Sequence, residues 1–431
     1  MAMLIFIENR PRAYAWGSSD ALPAWLGIAP NGEPQAELWL GDHPGAPAHV
    51  AKAANGERTL IDLIDSDPER YGVDGGHLPF LLKVLAIGGP LSLQVHPDLD
   101  QAREGFAREE ALGVPADAPH RNYGDANHKP ELLVALTEVR ALSGFRPLEA
   151  ARADLLALAA AAPAGEGSRA LEAVAERCAG DADAARRELL TWALRGGVEV
   201  AAALEAIRAA VSGDSASEWI DAQRLRTLRD LTAAYPTDPG VLVSLLLHFV
   251  RLDPGEAIYL GARQLHAYLG GLAVEVMAAS DNVLRAGLTV KHVDVDELLR
   301  VADVSELPEP RLAAHRVARG LVAWEPPVPD FRLLRASVCS PGGPESETGR
   351  IVLDPADEAE VVTVEAPCPL VIVVTAGRVR IERSADIGEV ASARRGQSVY
   401  VSAGEPVQLS GQGQAFLATV GHGWSRRAER D

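Results

Sequence analysis

The stretch "LSLQVHPD", residues 91–98, places nitrogen and oxygen donors two positions apart. In an extended strand, residues two apart share a face. Ser92, Gln94 and His96 therefore line one side, and Leu91, Leu93 and Val95 line the other. The apolar side has a core to pack against, and the other side presents a row of donors. A lone histidine on a strand is more often a hydrogen-bonded structural residue than a ligand, so further donors are needed. "NHKPELL" supplies His128, Lys129 and Glu131 just before and within a strand, and "ARQLHAYLGG" supplies His266 at the end of a β segment. A glutamine, two histidines and a glutamate form a sulfur-free set that suits zinc or another borderline divalent metal. Without thiolates, and with positions left for water or substrate, such a set points to catalysis rather than structure. One glutamate and three neutral ligands leave a divalent ion with a net charge of about +1, enough to polarise a carbonyl or stabilise an enediolate.

A second dense stretch is "ASDNVLRAGLTVKHVD", residues 279–294, where Asp281, Arg285 and Lys291 sit among apolar residues. It reads either as a solvated turn with an ion pair or as a loop that brings Arg285 into a pocket as a fixed positive charge. Trp16 in "YAWGS" and Glu37 in "AELWLG" are by default a buried aromatic and a buried acid. Their functional alternative is a wall and a hydrogen-bonding group for a sugar.

These residues need a scaffold, and 431 residues are too many for one ordinary core; two to four domains are expected. At 47% hydrophobic and 23% charged, the chain reads as globular and soluble. The formal charge of −19 disfavours nucleic acid and anionic membranes as partners. Cys178, Cys339 and Cys368 are far apart and odd in number, which fits a reducing cytoplasm better than a disulfide framework. The start of the chain reads as a strand rather than a signal peptide, and no apolar run reaches the roughly 18 residues of a membrane span.

Composition divides the chain. Residues 1–147 and 236–325 carry short β runs and are expected to form one discontinuous catalytic β domain. Residues 148–235 are rich in Ala and Leu at helical spacing and are expected to form about five helices, with "SASE" (215–218) as a capping box before one of them. "VLVSLLLHFV", residues 241–250, reads as one more helix. Residues 326–431 follow a Pro-rich link, with short strands broken by Gly turns, and suggest a jelly roll. This last region has no cluster of ligand-type residues and is expected to be structural.

The stretches "YAWGS", "AELWLG", "PFLLKVL", "LSLQVHPD", "NYGDANHKPE", "YLGARQLHAYLGG" and "VEVMAASDNVLRAGLTVKHVD" resemble, in order, the type I mannose-6-phosphate isomerases, the zinc-dependent phosphomannose isomerase family. The resemblance implies a mainly β fold, cupin-like jelly rolls with an inserted helical domain. It implies one Zn2+ per chain, held by Gln94, His96, Glu131 and His266, and a catalytic arginine at Arg285. Ser92, Lys129, Tyr268, Asp281 and Lys291 fall at pocket positions of the family, and Lys83 and His128 are further candidates. Two positions depart from the pattern: Val290 stands where proline is expected before the lysine, and Gly270 where serine is expected. Neither removes a ligand.

The implied reaction is the reversible isomerisation of mannose 6-phosphate and fructose 6-phosphate through an enediol(ate), with a small sugar phosphate as partner. His128, Lys129, Asp281 and Glu37 all remain candidates for the proton-transfer group, and Arg285, Lys291 and Lys129 for the phosphate. The sequence leaves the oligomeric state open. Two alternatives stand beside this reading: a sugar-phosphate-binding or regulatory cupin without turnover, and another metal-dependent cupin enzyme such as an oxygenase.

Overall fold

The computed structural model describes residues 3–51, 58–213, 218, 220–339, 357–383 and 388–422. The fold is mainly β, with antiparallel sheets and a helical insertion. Among the described residues the strands form a nine-stranded and a ten-stranded sheet. The run "LPFLLKVLAI" contains the strand Phe80–Ile87, buried throughout.

The long strand His266–Ala278 organises the nine-stranded sheet. Its first residues pair with Leu93–Val95 and Val139–Phe145, and its later ones with Phe80–Ile87 and Glu131–Ala135. The register shifts between Tyr268 and Gly270. Gly271 follows with φ 119°, where a Cβ would stand 2.4 Å from the Glu138 carbonyl, so only glycine fits this bend. The extra residue exchanges the two faces of the strand. Before the bulge, Leu265, Ala267 and Leu269 pack into the helical core; after it, Leu272, Val274 and Val276 pack into the core shared with the second sheet.

Residues 148–235 form the helices Leu148–Ala161, Glu166–Glu176, Ala182–Arg195, Val198–Ser212 and Ala222–Ala234. Their buried leucines, valines and alanines merge into one core with Leu93, Val95, Leu142, Leu284 and Ala286. Leu93 and Val95 of "LSLQV" therefore rest on the helical insertion, whereas Leu91, expected on the same face, packs beside Trp16 and lines the cavity. Leu93 and Val95 are fully buried, worth about 1.5–3 kcal/mol each. The expected cap at 215–217 lies outside the described residues.

Two expectations change. "VLVSLLLHFV" is not one helix: the helix Gly240–Ser244 gives way to the strand Leu247–Leu252, which pairs with Val139–Phe145. An apolar run of this length suits either state, and an available sheet edge decides for the strand. The strand Leu4–Glu8 also pairs with Ser398–Val401 in the ten-stranded sheet, and His315–Ala318 and Leu321–Trp324 extend that same sheet. Both ends of the expected catalytic segments thus reach into the C-terminal β layer. Its strands include Val361–Ala366, Leu370–Arg383, Ser398–Val401 and Gly404–Thr419.

Candidate metal centre and active site

Strand pairing sets Arg285, Gln94, His266 and Ser143 side by side, each on a neighbouring strand. Directly opposed residues of an antiparallel sheet share a face, so this row brings together an arginine, an amide and an imidazole that are remote in sequence. His96 follows the strand Leu93–Val95, and Glu131 opens the strand Glu131–Ala135.

His96, Glu131 and His266 are buried and offer donor atoms within 4.8 Å of one another. His96 Nε2 lies 3.2 Å from Glu131 Oε1, His266 Nε2 lies 3.6 Å from Glu131 Oε2, and the Gln94 amide is 3.4 Å from His266 Nε2. The donors of a tetrahedral zinc shell with bonds near 2.1 Å are about 3.4 Å apart. Both imidazoles are oriented from behind: Nδ1 of His96 donates to the Asn282 carbonyl at 2.7 Å, and Nδ1 of His266 to the Gln264 carbonyl at 2.9 Å. That fixes the tautomer with a lone pair on each Nε2, as metal-ligating histidines require. Among the described residues, His96 Nε2 is buried with no hydrogen-bond partner. Burial, with the Lys129 ammonium acting the same way, lowers the His96 pKa to about 4 and keeps the ring neutral. Burial pushes Glu131 up, but the Lys129 ammonium holds it well below the usual carboxylate range. The donor set and its spacing fit a zinc ion.

Above this centre is a cavity of about 660 Å3. Its wall includes Trp16, Glu37, Lys83, Ser92, Gln94, Glu131, Tyr268, Asp281, Arg285 and Lys291, so most of the expected pocket residues meet there. His96 and His266 lie beneath them. Lys129 is reached only through Glu131, which its Nζ contacts at 2.6 Å; the Tyr268 hydroxyl donates to the other oxygen of that carboxylate at 3.1 Å. His128 does not line the cavity. Its Nε2 meets the buried Asp330 Oδ2 at 3.0 Å, joining the "NHKPE" loop to the C-terminal region instead. Val290, one of the departures from the family pattern, is fully exposed at the cavity mouth, and Gly270 sits in the strand bulge.

A second cross-strand row, Trp39, Lys83 and Glu275, forms the opposite wall. Lys83 Nζ lies 3.3 Å from Glu275 and 3.7 Å from Glu37, and 4.9 Å from the centre of the Trp39 ring. The Trp39 indole N–H donates to Glu37. Burial works against the Lys83 charge, yet Glu37 and Glu275 raise its pKa. Burial, with the Glu131 charge, pushes Glu275 up to about 7 despite Lys83. Glu275 and Trp39 were not expected at the site. The available signal was a carboxylate within the apolar strand "LAVEVM".

The third wall is cationic. Among the described residues neither Arg285 nor Lys291 has an ion-pair partner, and burial lowers the pKa of both. Asp238 shapes their loop from the helical side, accepting the N–H groups of Leu288 at 2.9 Å and Thr289 at 3.2 Å. Ala234 and Tyr235, at the end of the last insertion helix, join the wall.

The β scaffold, the His–Glu–His cluster and the sugar-sized, partly cationic cavity define a metal-dependent enzyme of the cupin type. A family model described as phosphomannose isomerase type I, catalytic domain, matches residues 4–148. The mannose-6-phosphate isomerase of Escherichia coli (strain K12) is 40% identical over 332 residues, spanning 75% of this chain and 81% of the relative. The crystal structure of the apo form of mannose 6-phosphate isomerase from Salmonella typhimurium aligns with TM-score 0.82 and 31% identity, covering 98% of this chain and 100% of that one. A zinc-bound holo structure of mannose 6-phosphate isomerase aligns equally well, covering 97% and 99%. The chain belongs to the type I mannose-6-phosphate isomerase family.

Proposed function

We propose that this chain interconverts mannose 6-phosphate and fructose 6-phosphate, using one zinc ion held by Gln94, His96, Glu131 and His266. The observation that carries this reading is the row Arg285–Gln94–His266, which puts a guanidinium with no ion-pair partner among the described residues beside the buried donor cluster at the base of one cavity. Zinc bound there supplies a Lewis acid for the carbonyl and hydroxyl oxygens of the open-chain sugar.

The chain's own residues do the rest. Arg285, on the strand next to Gln94, stabilises negative charge as it develops on the substrate oxygens. Lys291, at the exposed rim, holds the phosphate. Ser92 and Tyr268 offer hydroxyls to the sugar, and Trp16 and Trp39 give it an apolar wall. A base takes the proton from C2 and returns it to C1. Of the four earlier candidates, His128 is paired with Asp330, Lys129 with Glu131, and Glu37 with Trp39 and Lys83. Asp281 lines the cavity with no lysine or arginine partner among the described residues and is assigned the transfer. Lys83, held as a cation by Glu37 and Glu275, donates to the sugar hydroxyls, and Glu275, with its pKa pushed up to about 7, is the group of the pair able to exchange protons with them.

No described helix is long and apolar enough to cross a membrane. The reading places the enzyme in the cytoplasm, in keeping with three cysteines scattered through the chain, with a small sugar phosphate as partner. A coupled assay that follows fructose 6-phosphate formation from mannose 6-phosphate tests the reading, with turnover expected in the zinc-loaded protein. Bound metal and bound sugar phosphate without product would favour the binding-protein alternative.

A further inference from the structure

His43 follows the strand Glu37–Leu40, in "ELWLGDHPG", and lies behind the cavity wall with 7% of its surface exposed. Its ring packs edge-on against Trp39, with centroids 5.0 Å apart and an interplanar angle of 85°. The backbone N–H of Gly45 donates to its Nδ1 at 3.1 Å. A nitrogen that accepts a hydrogen bond carries a lone pair, so the proton of the neutral ring resides on Nε2. That nitrogen faces Asp281 Oδ1 at 3.5 Å. Burial lowers the His43 pKa and Lys83 acts the same way, against Asp281, Asp125 and Asp42, so the ring stays neutral. The contact is therefore a neutral donor aimed at a carboxylate, longer than a formed hydrogen bond. Such bonds in unliganded enzymes are often long and tighten with substrate.

The Asp281 backbone is already fixed. Its N–H donates to Asp125 Oδ2 at 2.7 Å, and the side-chain amide of Asn282 donates to the Asn127 carbonyl at 2.7 Å. The Asn282 carbonyl in turn orients His96. This loop thus carries both a carbonyl that sets a metal-binding imidazole and the Asp281 carboxyl. The loop leaves that carboxyl free to rotate, with 62% of its side chain exposed.

We propose that His43 is a positioning residue of the isomerase: its Nε2–H, set by the Gly45 N–H, holds the Asp281 carboxylate in the orientation needed for proton transfer. The proposal rests on the isomerase reading and on Asp281 as the base. A neutral donor suits the task, because a cation at this point would weaken the base that it orients.

The test compares zinc-loaded His43→Phe, His43→Gln, Asp281→Asn and the His43→Phe/Asp281→Asn double variant. Phenylalanine keeps the packing on Trp39 but removes the donor, and glutamine restores an amide N–H close to the Nε2 position. His43→Phe is expected to lower kcat about 10- to 100-fold, the scale of one hydrogen bond to a charged group, with KM within about threefold. His43→Gln should recover most of that loss. In the Asp281→Asn background, His43→Phe should cost less than about twofold, because coupled residues are not additive. Additive losses, or a normal kcat in His43→Phe, would overturn the proposal while leaving wild-type turnover, and hence the isomerase reading, intact. An independent check needs no activity: 15N spectra of histidine-labelled protein should show His43 as the Nε2–H tautomer, with its Nε2 signal displaced in Asp281→Asn. A proton on Nδ1 would overturn the assignment outright.

Discussion

Replacing Arg285 by alanine separates transition-state stabilisation from substrate grip. The guanidinium lies across the strand pair from Gln94, half-buried, with no carboxylate partner among the described residues. Burial alone accounts for its lowered pKa. A desolvated cation without a counterion is costly to the resting protein, so its presence is explained by a charge that arrives with the substrate. If that charge develops during enediolate formation, Arg285→Ala removes one preorganised donor. Turnover should fall by about 10²–10³, equivalent to about 2.7–4 kcal/mol. KM should change much less, and metal content not at all, because Arg285 contributes no donor to the cluster. The thermal midpoint should hold or rise, since an uncompensated charge has been removed. Arg285→Lys keeps the charge but loses the planar fork, and should rescue poorly. The assay is steady-state fructose 6-phosphate formation across a mannose 6-phosphate titration, with melting and metal content measured on the same samples. Near-normal kcat at saturating substrate with raised KM would refute the reasoning and make Arg285 a uniform phosphate clamp.

Three other perturbations have defined outcomes. His128→Phe should lower the melting temperature yet keep kcat within a few fold, because His128 pairs with Asp330 away from the cavity wall; a hundredfold loss in a folded variant would return it to the chemistry. Burial pushes Glu297 up, but hydrogen bonds from Arg300, Tyr123 and Arg108 bring its pKa from 4.5 to about 2. The stabilisation is therefore complete above pH 4.5 and lost as pH falls towards 2, so the stability gap to Glu297→Gln, on the order of 2 kcal/mol once solvent screening of this partly exposed group is discounted, should close over that window in denaturant titrations. Alanine at Arg208 or Glu205, exposed on the insertion helix Val198–Ser212, should leave the melting temperature and turnover nearly unaltered; a large kcat loss would show that the helices shape the site more directly.

The donors were legible because strand alternation is local. The spacing of Ser92, Gln94 and His96 states their shared face, and the apolar partners Leu93 and Val95 state the opposite one. What was hidden depends on register. Glu275 has the opposite parity to His266 and Tyr268, and reaches the same cavity only because the bulge before Gly271 exchanges the faces. Trp39 and His43 are brought in by the pairing of Glu37–Leu40 with Phe80–Ile87, which no local pattern encodes. His128 stands three residues from Glu131, but its partner Asp330 is 202 positions away, so proximity in sequence suggested a site that the fold does not build. The placement of Leu4–Glu8 in the C-terminal sheet is nonlocal in the same way.

The central claim is that one metal ion, held by Gln94, His96, Glu131 and His266, supports the isomerisation. The direct measurement is elemental analysis of metal per chain alongside fructose 6-phosphate formation, in wild type and Glu131→Gln, during zinc titration of chelated protein. The account predicts no turnover in the metal-free enzyme and activity rising linearly to a plateau at one zinc per chain. Glu131→Gln, which loses the only anionic donor of the cluster, should need far more zinc to load. Full turnover in metal-free protein, or zinc held by Glu131→Gln as tightly as by the wild type, would contradict it.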